Sequence, residues 1–176
     1  MRAAVPVATD IVLLGAGHAH AEVLRQAAMR PVPGVRITLI AREALTPYSG
    51  MLPALIRGEC SLDDAHLDCA RLAAAAGARL ILAEATGLDL AARRVHVSGR
   101  PALSYDLLSI DVGGQPSMPA TGGVPVKPIG RFLAHLADLE SRLPPDARIA
   151  VIGGGASGAE LAIALAHRLR GRARLT

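Results

Sequence analysis

Short apolar runs alternate with turn formers along this chain, and the spacing of the runs changes partway through. Asp10-Ile11-Val12-Leu13-Leu14 is continuously apolar after its first residue, the pattern of a strand buried on both faces. Two close glycines, Gly15 and Gly17, end it, and Ala21–Met29 continues with helical spacing until Pro31, Pro33 and Gly34 break the helix. Arg36–Ile40 predicts a second buried strand. Met51–Arg57 predicts a short helix, Asp63–Ala76 a longer one ended by Gly77, and Arg79–Ala83 a third strand. From Glu84 the apolar period drops to two. Thr86–Leu90, Arg94–Val97 and Leu103–Ile110 predict a small antiparallel meander that returns to the parallel sheet through Tyr105–Asp111. Pro116–Pro128 is a Pro/Gly-rich crossing segment, and Gly130–Leu143 an amphipathic helix. Ile149–Ile152, Ala156–Leu169 and Arg174–Thr176 then repeat strand, helix and the opening of another strand.

This order predicts the α/β class: a Rossmann-like parallel sheet with a small antiparallel β-meander, followed by the start of a second Rossmann unit. The expected division is residues 1–117, 118–147 as crossover segment and helix, and 148–176 as a second domain only begun. On that reading the second unit is a lone strand and helix, with unpaired backbone edges and exposed apolar faces.

Composition narrows the class. A chain of 176 residues ordinarily makes one domain, or one and a piece. It is 51% hydrophobic with a mean hydropathy of +0.36, which excludes disorder and supports a buried core. Aromatics are only 2%, so that core is built from Ala, Leu, Val and Ile. The net charge of +4 rests on arginines scattered along the chain and one lysine, Lys127. Arg168, Arg170, Arg172 and Arg174 cluster without interleaved aromatics, which favours a solvated helix exit over a nucleic-acid surface. No apolar run reaches eighteen residues and Met1–Thr9 lacks the build of a signal peptide, so no membrane span and a cytoplasmic location are expected. Cys60 and Cys69 fit neither a disulfide framework nor a CxxC motif.

The chemistry lies at the strand–helix turns. Gly15-Ala16-Gly17-His18-Ala19-His20 joins an apolar strand to a helix, as in a dinucleotide-binding βαβ unit. Gly15 permits the sharp turn and Gly17 a close approach to a pyrophosphate, while the helix N-terminus offers N–H groups and a positive dipole end. His20 stands where the third glycine is usual. A second copy, Gly153-Gly154-Gly155-Ala156-Ser157-Gly158-Ala159-Glu160, has all three glycines at the required spacing. Ala41 takes the place of the acid that normally binds ribose hydroxyls at the end of the second strand; either Glu43 serves instead or that clamp is absent. Tyr48-Ser49-Gly50, inside Thr46–Pro53, reads either as a turn with Ser49 capping the following helix or as a loop lying against a cofactor. Gly113 and Gly114, with Gln115 and Pro116, close the returning strand. His18 and His20 have an HxH spacing but no third ligand nearby, so no metal is expected and a phosphate-facing or helix-capping imidazole is favoured.

These positions, with Tyr105-Asp106-Leu107-Leu108 leading to Gly113-Gly114, resemble the two-dinucleotide-domain flavoproteins of the pyridine nucleotide-disulfide oxidoreductase superfamily. Within it the chain is similar to the type II NADH:quinone dehydrogenase-like branch. Thr46–Pro53 and Pro125-Val126-Lys127-Pro128 further resemble the flavoprotein module that some bacteria fuse to selenophosphate synthetase. The resemblance covers nearly all of a chain half the usual length, and so implies an N-terminal part. The departures are His20, Ala41, and Asp111-Val112-Gly113-Gly114 where Ala-Thr-Gly is usual.

The resemblance implies FAD on the first loop and NAD(P)H on the second, with hydride passing to the flavin and on to a small-molecule acceptor such as a quinone. It also implies Lys127 near the flavin ring, against the plain alternative of a surface lysine. Because Cys60 and Cys69 are no close pair, a direct flavin-to-acceptor route is favoured over a thiol relay. A catalytically incomplete nucleotide-binding fragment or regulatory module is the alternative. No nucleic acid partner is expected, peripheral membrane contact is compatible with a full-length protein, and neither the oligomeric state nor the NADH/NADPH preference is set.

Overall fold

A computed structural model describes residues 6–114 and 122–176. In chain order the elements are β1 (Thr9–Leu14), α1 (His18–Met29), β2 (Val35–Ala41), β3 (Leu45–Pro47), a 3-10 turn (Ser49–Met51), α2 (Leu52–Arg57), β4 (His66–Asp68), α3 (Cys69–Ala75), β5 (Arg79–Leu82), β6 (Ala85–Asp89), β7 (Arg94–Val97), β8 (Arg100–Ser104), β9 (Leu107–Ile110), α4 (Ile129–Arg142), β10 (Ala147–Ile149), α5 (Ala156–Arg168) and β11 (Ala173–Leu175). The chain forms two compact units, one of residues 1–46 and 67–113 and one of residues 47–66 and 114–176. These boundaries differ from the linear division read from sequence, because 47–66 clusters with the later residues.

The first unit is built on a four-stranded sheet, order β5-β2-β1-β9, with every pairing parallel. Its central strand β1 reads as an apolar run after Asp10 because both faces are covered. Val12, Leu14, Ile40 and Ile81 pack on one face with Val95 and Val97 of the meander. Leu13, Leu39 and Ala41 pack on the other with Leu24 of α1 and with Cys69 and Ala73 of α3. The single strand expected over Leu103–Ile110 is two. β8 completes the antiparallel meander β6-β7-β8, and β9 joins the parallel sheet. Tyr105 and Asp106 make the change of direction. Tyr105 N–H donates to the Arg93 carbonyl (3.1 Å), while Asp106 N–H donates to the Asp10 carbonyl (2.9 Å) and its carboxylate accepts from Asp10 N–H (2.7 Å).

The helix expected over Asp63–Ala76 is only Cys69–Ala75. Asp64 closes a turn by accepting from Ser61 N–H and Oγ, and Asp68 caps α3 by accepting from Arg71 N–H (2.9 Å). Acidic residues with short side chains here bond the backbone in turns and caps rather than extend a helix. His66–Asp68 instead pairs with Leu45–Pro47 in a two-stranded ladder.

The second unit has its own core, which corrects the expectation of a lone strand and helix with exposed apolar faces. Leu52 and Ile56 of α2, Phe132 and Leu136 of α4, and Leu161 and Leu165 of α5 are mutually packed and buried. β10 and β11 pair in parallel, Ala147 with Ala173 and Ile149 with Leu175. The ladder stops at Ile149 rather than Ile152, although Val151 N–H still donates to the Thr176 carbonyl (2.9 Å). Arg168 ties this unit together. Its guanidinium bonds the Glu140 carboxylate (2.6 and 2.8 Å) and the Ile56 carbonyl (3.0 Å).

Candidate functional site

The order of the parallel sheet sets the first site. β1 lies between β2, its neighbour in sequence, and β9, which arrives from the far side of the meander. A strand flanked in this way is a topological switch point, and the crevice beyond its carboxyl end is where open α/β sheets bind ligands. Leu14 is paired with Ile40 on one side and Ile110 on the other, so Gly15 emerges beside Asp111. Asp111 N–H donates to the Leu14 carbonyl (2.8 Å), and Gly17 N–H donates to the Asp111 carbonyl (3.3 Å).

Both glycines of the first loop are required by this approach. At Gly15, with φ +94°, a Cβ would lie well inside 3.0 Å of the Asp111 carbonyl. At Gly17 it would lie equally close to the Asp111 carboxylate, which rests on the bare Cα. That carboxylate also accepts from the N–H groups of Ala19 (3.0 Å) and His20 (3.4 Å), in the first turn of α1. Gly17 is the helix N-cap and has no side chain to offer, so Asp111 supplies the acceptor from across the crevice. The backbone cradle at the start of α1 thus holds an anionic group, the Asp111 carboxylate.

His20 faces neither phosphate nor the cap. It is buried, 2% exposed, with Nδ1 against the Gly15 carbonyl (2.7 Å) and Nε2 against Ser109 Oγ (2.9 Å). A carbonyl can only accept, so Nδ1 carries the proton, and a neutral ring then accepts from Ser109 at Nε2. The imidazole fills the helix–strand gap that a third glycine would otherwise close. Sequence reasoning did not find Ser109, and it noted Asp111 only as a departure from a pattern. The acid at a strand end beside a glycine loop was the available signal. Ala16 is half-buried in the loop, and His18 is exposed at the start of α1. At the end of β2, Ala41 is buried, Glu43 is exposed, and Arg42 pairs with Glu84 (2.9 Å). Gly113 is exposed at φ +71°. Gln115 and Pro116, with the crossing segment up to Thr121, lie outside the described residues.

In the second unit Gly155 is the N-cap of α5, and among the described residues no side chain caps that helix. A Cβ at Gly158 would collide with the Gly153 carbonyl, so this third glycine permits close packing of helix against loop. At Gly153 and Gly155 the space is open to 4 Å. Ala156, Ser157 and Glu160 are exposed on the first turns of α5. Ser49, Lys127, Ser157 and Glu160, with Leu52 and Ile129 as apolar floor, line one cleft of about 80 Å³. Glu160 also borders a second cleft of about 270 Å³ with Gly50 and Arg57. Ser49 does not cap α2: it opens a 3-10 turn, and Met51 takes the cap position without a side-chain bond. Tyr48 is 41% exposed, with its ring over Gly50. Gly114 is exposed in the same unit.

Cys60 and Cys69 are both free thiols, the first half-buried and the second fully buried. Burial pushes the Cys69 thiol up, against a weaker opposing contact from Thr46. Among the described residues no helix is long and apolar enough to cross a membrane.

Comparison with known proteins agrees with this fold. The chain is 29% identical over 157 residues to the probable ferredoxin reductase CtmF of Castellaniella defragrans, covering 86% of this chain and 38% of the relative. It is 35% identical over 107 residues to the demethylphylloquinone reductase NdbB of Synechocystis sp., covering 53% of this chain and 26% of the relative. The chain thus spans well under half the length of the curated relatives it matches. Among solved structures, the covalent putidaredoxin reductase–putidaredoxin complex superposes with a TM-score of 0.72 at 24% identity, over 96% of this chain and 42% of that one. That likeness shows the fold. The finer resemblance to the module fused to selenophosphate synthetase finds no support among these proteins. A family model described as pyridine nucleotide-disulphide oxidoreductase matches residues 9–173, and the chain, with its two strand–glycine–helix turns, belongs to that family of FAD- and NAD(P)H-dependent enzymes.

Proposed function

We propose that this chain is the nucleotide-binding part of an NAD(P)H-dependent flavin oxidoreductase that delivers electrons to a quinone. The observation that carries the reading is the pair of glycine loops, each turning a parallel strand into a helix whose first-turn N–H groups suit a phosphate. On this reading Gly15, Ala16 and Gly17 hold the FAD pyrophosphate, with His18 beside it and His20 setting the loop from beneath. Glu43, exposed just past the end of β2, is assigned to the ribose. Gly153, Gly155, Ala156, Ser157 and Gly158 hold NAD(P)H. The cleft lined by Ser49, Lys127 and Glu160 offers a cation, a carboxylate and a hydroxyl to a polar ring. Bound FAD would supply two-electron chemistry between a reduced nicotinamide and the acceptor. The high thiol pKa and burial of Cys69 support a route without a thiol relay.

The quinone assignment rests on the demethylphylloquinone reductase relative. The ferredoxin reductase relative, matched over more of this chain, favours a small iron–sulfur protein as the second reading. The test is a pair of spectra on the intact protein. Bound oxidised flavin should show its visible absorption, and NADH or NADPH should bleach it anaerobically. Reoxidation by a soluble quinone faster than by ferredoxin supports the proposal, and the reverse order supports the second reading. Protein that neither retains nor binds flavin refutes both.

A further inference from the structure

Asp111 holds both features that a dinucleotide needs from the first loop. Its carboxylate takes the N–H groups of Ala19 and His20, and it covers the bare Cα of Gly17. The backbone beneath cannot move easily, because Asp111 N–H is bonded to Leu14 and its carbonyl to Gly17. The side chain alone can swing out.

We propose that Asp111 is an internal plug of the pyrophosphate seat, which caps α1 while the seat is empty and must be displaced for the cofactor to load. The inference rests on the assignment of FAD to the first loop. Two anions sharing one set of N–H donors repel each other, so the carboxylate and the pyrophosphate exclude one another there. An alanine at this strand end would leave the donors free and the Gly17 Cα bare. The plug keeps the empty helix end satisfied, and each FAD bound must first break that cap. Affinity is thereby lowered by the factor that the cap contributes to the empty protein. Asp111 touches the cofactor's place but performs no chemistry, so its effect falls on binding.

The two effects have opposite signs, and this makes the proposal testable without turnover. Flavin is stripped from intact wild-type protein and from the Asp111→Ala and Asp111→Asn variants. FAD is then titrated by its fluorescence change, and the melting temperature of each flavin-free protein is measured. The expected result is a lower melting temperature for the flavin-free Ala variant together with FAD binding about tenfold tighter, which corresponds to about 1.4 kcal/mol. The Asn variant, which keeps the shape and loses the charge, should fall between. If FAD binds as well or less well in both variants, the carboxylate belongs to the loaded site and the plug is refuted. If the Ala variant does not fold, the Asn variant decides by the same criterion. If wild type and variants all fail to bind FAD, the first-loop assignment itself fails, a result distinct from loss of the plug alone.

Discussion

Replacing His20 with glycine would restore the three-glycine spacing of the first loop, and the structure predicts that it weakens the first unit. The imidazole is buried and bonded at both nitrogens, to the Gly15 carbonyl at 2.7 Å and to Ser109 Oγ at 2.9 Å. Losing two such bonds costs about 1 kcal/mol each. The vacated ring volume adds roughly 1 kcal/mol of lost packing, at the low end for a buried side chain because the ring is polar. Glycine in the first turn of α1 adds roughly 0.5–1 kcal/mol of backbone entropy relative to alanine. The sum is on the order of 3.5–4 kcal/mol, a melting shift of roughly 14–32 °C for a unit of this size. Urea denaturation of wild type, His20→Ala and His20→Gly measures it. Alanine should recover only the backbone part, leaving most of the loss in place. A His20→Gly protein as stable as wild type would refute the reasoning, since it would mean that the gap closes around a glycine as it does at Gly158.

The second loop separates packing from binding. Gly158→Ala places a Cβ against the Gly153 carbonyl and should destabilise the second unit by about 1–3 kcal/mol, read as a lower melting temperature. Gly155→Ala meets nothing within 4 Å and sits at φ −78°, so it should leave the melt unchanged while slowing NADH-driven flavin bleaching. The Arg168 hydrogen bond, helped by the charges of Arg168 and Arg172, holds the Glu140 carboxyl below its ordinary value of 4.5, against partial burial that opposes the shift. Its folded pKa is depressed, so its stabilisation is complete above the ordinary glutamate range and is lost as pH falls through the lowered folded value. The melting gap between wild type and Glu140→Gln should therefore be widest near neutrality and close in acid, and a gap independent of pH would show that the pair contributes no charge-linked stability.

Much of this protein was legible because strand and helix periods are local properties. The apolar runs at Ile11–Leu14 and Arg36–Ile40 needed no tertiary context to read as buried strands, and the glycine spacings at Gly15 and Gly153 announced strand–turn–helix units. The family resemblance followed from the same short stretches, and the match over residues 9–173 agrees with it. What failed locally failed where a side chain bonds backbone far away or close by in a way that period cannot express. Asp106, bonded to Asp10, divides a run of apolar residues into β8 and β9, and Asp64 and Asp68 convert half of an apparent helix into a turn and a cap. The core joining α2, α4 and α5 depends on Leu52 and Ile56 meeting Phe132, Leu136, Leu161 and Leu165 far along the chain, a pairing that only the folded chain defines. The first loop shows the same division most clearly. Sequence named Gly15, Gly17 and His20, but their surroundings were decided by β9, which parallel pairing with β1 brings alongside: Ser109 bonds the imidazole, and Asp111, just past the strand, caps α1.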